Sequence, residues 1–123
     1  MNLVETPLMH TLSRALDLTS ARQSLVSQNV ANIDTPGYKT RDIDFRQELQ
    51  RALADDQLPQ AAPVGRDVPG LIERPDGNNV SLDRESLLMA QNQLAFQVDV
   101  QLLRAEFNRL QEAINGGTGG SGQ

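Results

Sequence analysis

The sequence predicts an all-α chain carried by two long helices. Apolar residues recur at helical spacing over residues 8–32. A second stretch, residues 81–115, has helical spacing with no glycine or proline inside it. The helix breakers gather between them, with Pro59, Pro63, Pro69 and Pro75 alternating with Gly65, Gly70 and Gly77. At 123 residues the chain is expected to form one domain. Its parts are an N-terminal helix (8–32), a turn with a short helix and an irregular segment (33–80), a C-terminal helix (81–115) and a flexible tail (116–123).

In the first helix Leu8, Leu12, Ala15, Leu16, Val26, Val30 and Ile33 fall on one broad arc at 100° per residue, widened by Leu18 and Leu25. Arg22, Gln23 and Asn29 intrude on it. Thr6 suits an N-cap and Pro7 the first turn. At the other end Asn32 is placed to cap in the left-handed conformation. Thr35 precedes a proline and is pushed out of the α region. Pro36-Gly37 then fits the centre of a type II turn, with glycine at positive φ. Asp44 is placed to cap a short helix, with Gln47 three residues on and Phe45, Leu49 and Leu53 on one face. Loss of periodicity over Gln57–Asn79 reads as irregular structure, and Leu71-Ile72 is too short for a strand. Ser81 or Asp83 caps the last helix, about 50 Å long at 1.5 Å per residue. Gly116 is expected to stop it.

Composition excludes several functions. Without cysteine there is no disulfide, thiolate nucleophile or thiolate metal site. The net charge of −5, with arginines scattered, argues against a nucleic-acid groove. The longest uninterrupted apolar run, Leu87–Ala90, is too short to span a membrane, and Met1–Asp17 lacks the basic region of a signal peptide. His10 is the only histidine, no cysteine or nucleophile elbow accompanies it, and a lone surface histidine reads as a solvated side chain. Asp34, Asp42 and Asp44 lack calcium-loop spacing and read as caps and turn formers. The glycines from Gly116 follow no strand and are not a phosphate loop. No enzyme activity, metal or cofactor is expected.

Only four aromatic residues, Tyr38, Phe45, Phe96 and Phe107, are available, so a self-sufficient core is doubtful. The C-terminal helix nevertheless carries two apolar rows. Met89, Phe96, Leu103 and Leu110 repeat every seven residues, as do Val100, Phe107 and Ile114 four residues after the preceding member. Together they form one seam, interrupted by Gln93. Leu87, Leu94, Val98, Leu102 and Ala105 form another row on a different side. One partner helix covers one row, and the chain has one other long helix. The second row is expected to meet other subunits.

The most specific stretch is Ser27-Gln-Asn-Val-Ala-Asn-Ile-Asp-Thr-Pro-Gly-Tyr-Lys39. Asn29 and Asn32 read either as ordinary helix-end amides or as buried amides that fix register. This stretch resembles the N-terminal signature of bacterial flagellar rod and hook proteins. Its continuation to Phe45, with Gly77-Asn-Asn-Val80 and Asn92-Gln-Leu-Ala-Phe96, is similar to the proximal-rod members of that family. The resemblance covers both helices. The chain departs from the family in a short middle and a glycine-rich tail.

The resemblance implies an elongated antiparallel coiled coil of the two long helices, packed into a helical tube of structural subunits. It implies export by the flagellar type III apparatus without a cleaved signal, and a place in the periplasmic rod of the basal body. Implied partners are the chain itself, other rod proteins, the adaptor between rod and MS ring, the MS ring and the export apparatus. On that reading Asn29 and Asn32 fix register where subunits meet, Thr35-Pro36-Gly37 redirects the chain, and Tyr38 anchors the turn. Leu94, Phe96, Leu103 and Phe107 are the packing residues of the two rows. Another rod or hook protein, or a soluble helical adaptor or secretion chaperone forming a closed dimer, is the alternative.

Overall fold

The computed structural model describes residues 6–54 and 62–119. Helix α1 spans Pro7–Ala31, strand β1 Arg41–Asp42, helix α2 Phe45–Ala54, strand β2 Arg66–Asp67 and helix α3 Leu82–Gly119. The two long helices pack against each other, and α2 packs on α1. Hydrogen bonds from Thr6 to Glu106, Asn92 to Gln23 and Asn29 to Glu85 set an antiparallel register. The described fold is therefore a long helical hairpin with a small polar head at the end where α1 stops and α3 starts.

Local chemistry accounts for the boundaries. Thr6 Oγ1 accepts from the Met9 amide at 3.1 Å, and Pro7 occupies the first turn, where its missing N–H costs nothing. Asp44 Oδ1 accepts from the Gln47 amide at 3.1 Å and Ser81 Oγ from the Arg84 amide at 3.2 Å. Ser81, not Asp83, is thus the cap of α3.

Four expectations change. Asn32 has φ −105° and is not left-handed; its side-chain nitrogen donates to the Gln28 carbonyl at 2.8 Å, which satisfies the helix end without an αL residue. Gly116 does not end α3. None of the positive-φ glycines lies near it, and glycine without a left-handed role only weakens a helix, by about 1 kcal/mol. The middle segment contains a two-residue ladder, Arg41 opposite Asp67 and Asp42 opposite Arg66, too short to leave a period in the sequence. In α2 the buried positions are Glu48 and Ala52, one step round from the expected Phe45, Leu49 and Leu53. Residues 57–61 of the expected irregular segment and 120–123 of the tail lie outside the described residues.

The apolar core is small: Leu12, Leu18 and Val26 from α1, Ile43, Ala52, Val80 and Leu88. Leu8, central to the expected arc, is half exposed, while Thr19 and Asn29 are buried in α1. The fully buried side chains include Glu85, Asn29, Asn78 and Thr40. A core in which polar groups hold the buried centre must bond all of them, because each one left unmade costs about 1–3 kcal/mol.

Candidate assembly site

The head is organised by Asn29. Its side-chain nitrogen donates to the Arg41 carbonyl at 2.8 Å and to Glu85 Oε1 at 2.5 Å. Its side-chain oxygen accepts from the Tyr38 hydroxyl at 2.9 Å and the Arg41 amide at 3.1 Å. That exhausts the hydrogen-bonding capacity of an amide. The register that Asn29 fixes is therefore internal. It ties α1, the turn, β1 and α3 of one chain, and no part of the amide is left for a neighbouring subunit. Burial pushes the Tyr38 hydroxyl up, against the lowering effect of Arg41. Tyr38 stays a neutral donor.

A charge chain continues from this hub. Asp42 accepts from Arg22 Nε at 3.0 Å and Arg22 Nη2 at 2.9 Å, and from Arg84 Nη2 at 2.6 Å. The other arm of Arg84 donates to Glu85 Oε2 at 2.8 Å. Burial alone would raise the Asp42 carboxyl; bonds from Arg22, the Ile43 amide and Arg84 outweigh it and hold the carboxyl below its ordinary value.

The turn is clasped from the far side of the sequence. Gly37 has φ +75° and donates its amide to the Asp76 carbonyl at 2.9 Å; the Tyr38 amide closes the turn on the Thr35 carbonyl at 3.2 Å. Asn78 is fully buried. Its nitrogen donates to the carbonyls of Asn32 and Thr35 at 2.8 and 2.9 Å. Asn79 Oδ1 accepts from the Thr40 amide at 2.6 Å. Gly77, at φ +87°, lies so close to the turn that an added Cβ would stand 3.4 Å from Gly37 Cα. Lys39 pairs with Glu73 and donates to the Gly77 carbonyl, and Arg74 donates to the Ile33 carbonyl. Asn29, Asn32, Thr35, Gly37 and Tyr38 thus come together in one head, with Pro36 exposed at its tip.

Leu94, Phe96, Leu103 and Phe107 lie elsewhere, along α3. The face of α3 against α1 is neither of the two apolar rows. It runs between them, through Glu85, Leu88, Asn92 and Glu106. Val100, Leu103 and Leu110 of the first seam are half buried at its margin. The remaining apolar side chains are open: Leu94 is 62% exposed, Phe96 50% and Phe107 46%, with Leu87, Met89, Val98, Leu102 and Ile114 alongside. Leu94 and Phe96 stand roughly 200° apart round the helix at 100° per residue. The rows therefore occupy opposite flanks of α3; the second is left open and the first is shielded only along its margin. Between α1 and α3 an open groove of about 470 Å³ is lined by Thr19, Ser20, Gln23, Asn92, Gln93, Phe96 and Gln97.

In the sequence Asp42 reads only as a cap or turn former and Asn78 only as part of the Gly77–Val80 stretch, while Arg84 and Glu85 carry no reading. Acids at heptad spacing inside an apolar helix (Glu85, Asp99, Glu106) were the available signal. Among the described residues no helix is long and apolar enough to cross a membrane.

A family model of flagella basal body rod proteins matches residues 9–39, the stretch from the first turns of α1 to Lys39. The flagellar basal body rod protein FlgB of Salmonella typhimurium is 32% identical, over 84% of this chain and 89% of its own length. FlgB of Escherichia coli K12 is 30% identical over 84% and 89%, and FlgB of Bacillus subtilis 168 is 30% identical over 89% and 94%. The chain belongs to the FlgB family of flagellar basal body rod proteins.

Proposed function

We propose that this chain is a structural subunit of the proximal flagellar rod, polymerising into a helical tube that carries torque from the membrane ring toward the hook. The observation that carries the reading is the pair of apolar rows on opposite flanks of α3. Monomeric proteins rarely expose long contiguous apolar surface. A closed dimer would cover one flank by a two-fold contact. Two flanks facing opposite ways fit heterologous contacts that do not close on themselves. The hub, charge chain and clasp supply rigidity at one end of each subunit, as a torque-bearing element requires.

The partners on this reading are further copies of the chain, other rod proteins, the adaptor between rod and MS ring, the MS ring and the type III export apparatus, with export preceding assembly in the periplasm. The role is mechanical rather than enzymatic.

Leu94→Glu and Phe96→Glu test it, one on each flank. On an exposed face of the free chain each changes stability by no more than about 0.5 kcal/mol. Within a packed tube an unpaired carboxylate costs several kcal/mol or must protonate. Both variants are expected to be soluble, folded like the parent and missing from purified basal bodies. Incorporation of either at parental levels would overturn the two-flank reading.

A further inference from the structure

The inner face of α3 is built the opposite way from its flanks. Glu85, Asn92, Asp99 and Glu106 recur every seven residues along it, and three of them are buried. Leucines stand on the flanks where the hairpin leaves them open. A hairpin selected for its own stability alone would place leucine inside and acid outside.

We infer that these four residues determine which helix α3 accepts on its inner face: they admit α1 and reject the α3 of a second copy. The inference rests on the rod reading for its purpose and on the hairpin for its chemistry. Carboxylates only accept hydrogen bonds. Helix α1 supplies donors to two of them, since Asn29 donates to Glu85 at 2.5 Å and the Thr6 hydroxyl donates to Glu106 at 3.2 Å. Asn92 in turn donates to Gln23 Oε1 at 3.0 Å. Two copies of α3 meeting by this face bring one free kind of donor, the Asn92 amide, because Arg84 and Arg109 are already paired within their own chain with Glu85 and Glu106. Parallel pairing sets Glu85, Asp99 and Glu106 each against its own copy. Antiparallel pairing sets Glu85 against Glu106 and Asn92 against Asp99. The antiparallel Asn92–Asp99 contact can be bonded, but in both arrangements at least one carboxylate meets another, Glu85 against Glu106 in the antiparallel one, which disfavours the wrong partner. Without these residues the inner face would join the two flanks into a helix apolar around most of its surface. Such a helix pairs with any copy of itself before it reaches a rod. Burial also pushes the Asp99 carboxyl up.

Because the chain has no cysteine, an inner-face reporter is unique. Ala95→Cys is introduced alone, then with Asn92→Leu, Asp99→Leu and Glu106→Leu, leaving Glu85 in the head. Under oxidising conditions the reporter alone should remain a single chain. The leucine background should convert most of it to a disulfide-linked dimer, with elution shifting from one-chain to two-chain mass. A control background carries the same number of added leucines on the opposite, exposed face, as Gln101→Leu, Asn108→Leu and Gln111→Leu. It should leave the Ala95→Cys reporter unlinked whether or not it associates by that other face. A single-chain elution and no disulfide in the inner-face leucine background would overturn the inference, as would equal linkage in the control. Both outcomes are read on free protein, so they stand apart from the basal-body test of the rod reading.

Discussion

Asn29→Asp alters the head without altering its shape. The amide nitrogen that donates to the Arg41 carbonyl and to Glu85 Oε1 at 2.5 Å becomes an oxygen facing two acceptors. Two unit negative charges roughly 3 Å apart repel by about 5–6 kcal/mol at an effective dielectric constant of 20. Protonating one carboxyl at pH 7 costs less, about 3.5–4 kcal/mol, from an ordinary carboxylate value near 4 and about 1.4 kcal/mol per pH unit. The pair therefore takes up a proton, and that cost is the expected loss of stability at neutral pH. It is a large share of the about 5–15 kcal/mol that holds a whole domain. The sign follows from linkage: the folded-state value of the pair is raised, so its penalty fades as pH falls toward the unfolded value and grows as pH rises. Urea unfolding of parent and variant at pH 7 and pH 5 is the assay. The gap should shrink by about 2–3 kcal/mol at the lower pH. A gap below about 1 kcal/mol at pH 7, or one that does not change with pH, would refute Asn29 as the bonded hub of a packed head.

Gly37→Val places a β-branched residue at φ +75° and should cost about 1–3 kcal/mol, seen as a lower unfolding midpoint; an unchanged midpoint would remove the turn from the account. Asp42→Asn should cost about 3 kcal/mol at neutral pH, the low end for breaking a buried ion pair, because Arg22 and Arg84 both keep some contact with water. Since Asp42 is held below its ordinary value, its contribution is present above that value and is lost as pH falls through the folded one. The parent should thus destabilise below about pH 4, and the asparagine variant should lack that part of the acid limb.

The two helices were legible because their signals are local and repeated: a cap, a proline in the first turn, apolar spacing and an uninterrupted run from Ser81. The Thr35-Pro36-Gly37 turn was legible for a related reason, since glycine after proline leaves few backbone choices. The face that α3 presents to α1 was not. Periodicity finds the most apolar stripe of a helix, and here that stripe is reserved for the outside. Asn78 was hidden by distance, because its partners Asn32 and Thr35 lie more than forty residues earlier in the chain. Asp42 looked like a turn former until Arg22 and Arg84 closed on it from two different helices. The C-terminal end was misplaced because Gly116 carries the composition of a cap without the backbone angle that makes one.

Solvent access to the two flanks of α3 in the assembled rod bears most directly on the whole reading. Single cysteines at Leu94 and Phe96 in this cysteine-free chain can be challenged with a water-soluble maleimide, once in free protein and once in purified basal bodies. Both should react in the free chain and both should be blocked in basal bodies, since opposite flanks are covered by different neighbours. A cysteine at either position that labels as readily in basal bodies as in free protein would contradict the assignment of α3 as the two-sided packing element of a rod subunit.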